Sequence, residues 1–353
     1  MNPEKFMTAM EAELKSFPEK MRRGMEILTG SPDCRVGTSP AEVLYTEDNM
    51  TLIRYQPNVA DDKRHPTPVL IVYALINRHI MLDLEPGRSF VQNLLNAGLD
   101  VYLVDWGRPG PADRFLDMGD YLNGYLDNAV EAIRTRSGAA KINLMGICMG
   151  GTFAVIYTAL HPEKIKNLIT LATPTDFDIK DATLFLWAKK LDPDKIVAAH
   201  GNLPGNLANI LYLLAVPVDT VNKYIQFING IDNRKFVSTF LRMEKWIFDS
   251  PDMSGAVFRK YIRDLLQQNR LINNRFYLEG EKVDLDKIRC PLLNVYGKND
   301  FLAPPGSCIP LGEAVGSKDV RTMAVDSGHV GIFVGSMSHK TICPEISGWI
   351  RAR

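Results

Sequence analysis

The chain is short of cysteine, of net charge and of long apolar runs, and each shortage excludes something. Its five cysteines (Cys34, Cys148, Cys290, Cys308 and Cys343) are odd in number, widely spaced and without a CxxC pair. That argues against a disulfide framework and against a zinc or other metal site, and it suits a reducing cytoplasm. Basic and acidic residues balance at 41 each, so neither nucleic acid nor an anionic membrane is expected as the main partner. Little net repulsion leaves self-association open. The longest apolar runs, VLIVYALI (69–76) and ILYLLAVPV (210–218), fall well short of the ~20 residues that span a bilayer. The first residues, MNPEKFMTAMEAELKSF, carry acidic side chains and no apolar h-region, so they do not read as a signal peptide. Internal repeats, low-complexity tracts and long linkers are also missing.

What is present is an alternation of strand and helix patterns. Residues 1–40 form an N-terminal helical segment in which Phe6, Met10, Leu14, Phe17, Met21 and Met25 make one apolar stripe. Pro18 is expected to break or kink it. The stripe packs either on its own domain or against another subunit. VLYTEDNMTLIRY (43–55) reads as a hairpin turning at Asp48-Asn49. PVLIVYALINR (68–78), LDVYLVDWG (99–107), INLMG (142–146), NLITLATP (167–174), PLLNVYG (291–297) and DVRTMAV (319–325) read as further strands. Continuous β-branched runs suit parallel strands buried on both faces. Helical spacing between them, as in Tyr121 to Ile133 and Phe153 to Leu160, implies an α/β fold with right-handed crossovers. The alternation stops over 175–289, which reads as an inserted helical cap between core segments 41–174 and 290–353.

The chemistry centres on NLMGICMGGTF (143–153), a strand, a tight turn and a helix. It matches G-x-nucleophile-x-G, the elbow of α/β hydrolases, with Cys148 where serine is usual. A nucleophile on so strained a turn needs small neighbours two positions away, which Gly146 and Gly150 supply. Gly151 lets the new helix lie close to the sheet, and the positive end of that helix favours a sulfur anion. The bland alternative is a structural cysteine beside a glycine turn.

A nucleophile needs a base and the base an orienter, delivered in this fold as nucleophile, acid, histidine from loops after later strands. Asp300 follows the strand at 291–297, and His329 lies in DSGHVG after the strand at 319–325. Asp326 rivals Asp300 but sits in the turn of His329 and reads as its cap. His65, His161, His200 and His339 are weaker base candidates by position, and His79 comes in the wrong chain order. Oxyanion donors are expected from the backbone N–H groups of Met149 and Ile76. A cysteine acyl-enzyme is a thioester, so exchange with a thioester substrate is nearly thermoneutral. The acyl group then stays activated for an alcohol acceptor, and an apolar cap would favour transfer over hydrolysis.

Several segments together resemble one family, the catalytic subunit of short-chain poly(3-hydroxyalkanoate) synthases. They are VLIVYALINR (69–78), DVYLVDWG (100–107), NLMGICMGG (143–151), RMEKWIFDSPD (242–252) and GHVGIFV (328–334). The resemblance implies an α/β-hydrolase fold with a mostly parallel central sheet. It implies Cys148 as the acylated nucleophile, His329 as the base, and Asp300 either orienting His329 or assisting the 3-hydroxyl. The implied reaction polymerises (R)-3-hydroxyacyl-CoA, above all 3-hydroxybutyryl-CoA, and needs no cofactor beyond the CoA that the substrate carries and releases. The implied partners are the growing polyester chain, a second non-catalytic subunit (E-type, with R-type as the alternative) and a second copy in a homodimer. The implied place is the surface of cytoplasmic storage granules. Trp246 lies in a family motif that reads as structural or as a subunit contact, and His79 stands where the family usually has proline. The competing expectations are a cysteine hydrolase (a thioesterase or lactone hydrolase) and a non-catalytic granule scaffold.

Overall fold

Strands in a computed structural model, which describes residues 3–180 and 182–353, follow the apolar runs closely. They are β1 (Ala41–Glu47), β2 (Met50–Tyr55), β3 (Val69–Val72), β4 (Val101–Asp105), β5 (Ile142–Ile147), β6 (Ile165–Leu171), β7 (Leu292–Gly297) and β8 (Val320–Val325). They join in one eight-stranded sheet of order β1-β2-β4-β3-β5-β6-β7-β8. Only β2 runs against its neighbours, pairing antiparallel with β1 and β4, while the other pairs are parallel. Every residue of β3 and β5 is buried, as expected for strands covered on both faces. This is the α/β-hydrolase arrangement, and in open parallel sheets the carboxyl ends of the strands are where sites form.

Helix α1 (Pro3–Thr29) runs through Pro18 without interruption, against the expected break. A proline costs an internal helix one hydrogen bond, which solvent can satisfy on an exposed helix such as this one. Its apolar stripe is mostly uncovered: Met10, Leu14, Phe17 and Met25 are exposed and Met21 is half-buried. Its far end packs on the body, where a Cβ on Gly24 would lie 2.6 Å from Ile231. The expectation for Phe6 lies outside the described side chains, as residues 1, 2 and 181 lie outside the description.

Helices α2 (Phe90–Asn96), α3 (Asp127–Ser137) and α4 (Met149–Leu160) follow the early strands. Between β6 and β7 come α5 (Thr183–Ala188), α6 (Pro193–His200), α7 (Gly205–Ala215), α8 (Pro217–Asn229), α9 (Arg234–Phe248) and α10 (Gly255–Lys260). A π-helical turn, Tyr261–Gln267, continues α10, and a short ribbon pairs Tyr277–Leu278 with Glu281–Lys282. The last helix, α11 (Cys343–Arg351), packs on α2. Among the described residues, no helix is long and apolar enough to cross a membrane.

Candidate active site

Sheet and cap meet over the carboxyl ends of β3, β5, β7 and β8. At the end of β5, Cys148 takes φ 53°, ψ −125° and becomes the cap of α4. Such a conformation is costly for a residue with a Cβ and persists only where the surroundings enforce it. The surroundings are crowded. A Cβ on Gly146 would come within 2.4 Å of the Gly151 Cα, and one on Gly150 within 2.3 Å of the Val72 carbonyl oxygen. The Cys148 N–H donates to the Leu171 carbonyl at 2.9 Å, tying the turn to β6.

The loops after β7 and β8 bring two more groups to this point. His329 Nδ1 lies 2.7 Å from Asp300 Oδ2. The other carboxylate oxygen of Asp300 accepts from the N–H groups of Leu302 and Ala303, each at 2.9 Å. Asp300 is therefore buried, fully hydrogen-bonded and fixed in orientation. Burial alone would push the His329 imidazolium down. The charges of Asp300 and Cys148, with hydrogen bonds to both, outweigh it and hold His329 well above its ordinary value. Asp326, the rival carboxylate, is exposed and accepts from Asn299 Nδ2 at 3.0 Å, away from this cluster.

The remaining histidines are elsewhere or otherwise engaged. His161 ends α4 and pairs with Asn123 at 3.1 Å, His65 pairs with the Thr67 backbone, and His339 contacts Asn93. His200 lies in the last turn of α6. His79 is buried 3.7 Å from Asp105, and desolvation lowers its basicity. Burial pushes the Cys290 thiol up to about 11 and the Cys343 thiol up to about 12, and raises Cys308 as well. None of the five is in a disulfide.

Cys148 and His329 open into a cavity of about 410 Å³ roofed by the cap. Its lining is mainly apolar and aromatic, from Phe177 and Phe185 to Leu203, Trp246 and Phe258. Tyr73, Tyr212 and Tyr261 also face it, and in each desolvation, then negative charge at Cys148, pushes the phenol up. Sequence patterning did not single out these tyrosines, because spacing marks them only as apolar helix or strand-end positions. Ile76 and Met149 line the same cavity, and among the described residues no acceptor is paired with either backbone N–H. Arg78 bridges Asp105 (3.4 Å) and Asp249 (3.5 Å).

The arrangement can do acyl chemistry, and comparisons with known proteins narrow which. Residues 67–336 match the model of the alpha/beta hydrolase fold, and 32–94 match that of the poly-beta-hydroxybutyrate polymerase (PhaC) N-terminus. A monoacylglycerol lipase from Paleococcus ferrophilus superposes with a TM-score of 0.50 at 16% identity, over 81% of this chain and 96% of that one. That likeness concerns the fold alone. The poly(3-hydroxyalkanoate) polymerase subunit PhaC of Allochromatium vinosum is 42% identical over 342 residues, covering 97% of this chain and 96% of its own. The subunit of the same name from Synechocystis sp. is 41% identical over 352 residues, covering 97% and 92%. Likeness along nearly the whole of both chains, elbow and cap included, makes this chain a member of the PhaC family of poly(3-hydroxyalkanoate) polymerases.

Proposed function

We propose that Cys148 carries the acyl group during polyester synthesis, with His329 as base and Asp300 as its orienter. The observation that carries the proposal is the Asp300–His329 pair at 2.7 Å, sharing an apolar cavity with a strained Cys148. His329 takes the Sγ proton, and the thiolate attacks the thioester carbonyl of (R)-3-hydroxybutyryl-CoA. The N–H groups of Ile76 and Met149 hold the oxyanion. The C–S bond to CoA breaks, and CoA leaves with the proton from His329. The hydroxyl of a second acyl unit or chain end then attacks the Cys148 thioester. His329 accepts the hydroxyl proton and returns it to sulfur as the ester forms. The apolar lining of the cavity disfavours water as the competing acceptor.

A second, non-catalytic subunit of E-type is the proposed partner, R-type being the alternative, with a homodimer and the granule surface as the setting. Support comes from the word subunit in the relatives' names and from apolar side chains that this chain leaves uncovered. The test is product analysis from 3-hydroxybutyryl-CoA with and without the co-expressed partner. Insoluble polymer and free CoA are expected, more of both with the partner. Free 3-hydroxybutyrate instead would mean a hydrolase.

A further inference from the structure

The loop 73–79 after β3 holds the proposed oxyanion donor, Ile76, and three contacts from the end of α9 fasten it. The Asn77 N–H donates to Ser250 Oγ at 3.0 Å. Trp246 Nε1 donates to the Arg78 carbonyl at 2.8 Å. The Arg78 guanidinium meets Asp249 at 3.5 Å, and Arg108 pairs with the same carboxylate. The Asn77 backbone itself sits in the left-handed region at φ 61°. Asparagine tolerates that conformation better than most residues, but it still has to be enforced. Ser250 is itself fixed. A Cβ on Gly205 would fall 2.3 Å from the Ser250 carbonyl oxygen, and the Gly205 N–H donates to Asp252 Oδ1 at 2.9 Å. The start of α7 and the end of α9 thus form one block against the loop.

The geometry points to Ser250 as a positioning residue for the oxyanion hole, acting through Asn77 on the neighbouring Ile76 N–H. RMEKWIFDSPD (242–252) then has a mechanical role: its Trp246, Asp249 and Ser250 join the cap to the hole. Without Ser250 Oγ, the Asn77 N–H lacks its acceptor, and the loop relaxes toward a conformation that supplies one. Small displacements of an oxyanion donor carry large rate costs, since one such donor is worth about 10²–10³ in rate. Ser250 touches neither substrate nor sulfur in this role. The inference rests on the proposed reading of Cys148 as the nucleophile that attacks the thioester.

The test uses the full chain and two reactions at one sulfur. Single-turnover CoA release from 3-hydroxybutyryl-CoA needs the oxyanion hole, whereas alkylation of Cys148 by iodoacetamide does not. Ser250→Ala is expected to slow CoA release at saturating substrate by about 10–100-fold. Half-saturation and the alkylation rate should stay within about twofold of wild type, and Ser250→Thr, which keeps an acceptor oxygen, should recover most of the loss. Wild-type CoA release by Ser250→Ala would overturn the inference, as would a parallel fall in alkylation or a threonine variant as slow as alanine. Failure of the underlying reading looks different: Cys148→Ala would then still release CoA.

Discussion

Strand β3 and helix α8 are both rich in apolar residues, yet their surroundings are opposite. No residue of Val69–Val72 is exposed, and no residue of Pro217–Asn229 is buried. In β3 the apolar run is answered within the chain by β4, β5 and the covering helices. In α8 one side faces the cavity through Asp219, Thr220 and Lys223, while Val218, Val221, Ile225 and Ile228 are exposed. Leu214 of the neighbouring α7 and the stripe of α1 add to the uncovered surface. Exposed apolar side chains in such number mark contact surfaces rather than core. The difference separates a core closed on itself from helices that line the cavity on one side and leave apolar side chains uncovered on the other.

That division can be broken or sharpened experimentally. The largest effect is expected at the elbow. Cys148→Ala should lower CoA release by about 10³-fold or more while leaving the melting temperature near wild type, read by a thiol assay and calorimetry. Next is the core. Leu70→Ala should cost about 2–5 kcal/mol in denaturant unfolding, whereas Val218→Ser should stay within about 0.5 kcal/mol. Equal costs would erase the distinction between β3 and α8. Smaller again is the surface effect. Leu214→Glu combined with Val218→Glu should leave unfolding unchanged and weaken association with the partner subunit or a second copy by about tenfold, measured by analytical ultracentrifugation. Unchanged association would remove α7 and α8 from the contact surface.

The smallest effect concerns pH. His329 is more basic folded than unfolded, so its contribution to stability is fully present below its ordinary value near 6.5. It is lost as pH rises through the raised folded value. The stability advantage of wild type over His329→Gln should therefore narrow with rising pH above 6.5, followed by thermal melts. A widening advantage would mean that the Asp300 and Cys148 charges do not hold the imidazolium in place.

The same division explains what could be read in advance. The strands were legible because burial on two faces demands unbroken apolar runs, as in VLIVYALI. The elbow was legible because only small residues fit beside Cys148, leaving a local signature. Asp300 and His329 could be proposed from chain order, but their 2.7 Å approach is a product of two loops far apart in sequence. The cap resisted reading for a related reason. Helical spacing predicts the helices of 175–289 but not which face meets the cavity, so Tyr212 and Tyr261 looked like ordinary core positions. The continuity of α1 through Pro18 is not legible in the sequence, because it depends on the helix being exposed, so that solvent can take the hydrogen bond that proline removes. Ser250 carries no pattern at all, since a lone serine before proline gains meaning only from the Asn77 N–H opposite it.

The central claim is that the polyester is built on one sulfur. The direct measurement is peptide mass spectrometry of acid-quenched enzyme after brief exposure to 3-hydroxybutyryl-CoA. The account predicts hydroxybutyryl groups on Cys148, within Gly146–Gly151, that are removed by hydroxylamine at neutral pH and absent from His329→Gln at the same time point. CoA release and polymer growth with Cys148 unmodified, or with the acyl groups on another residue, would contradict it.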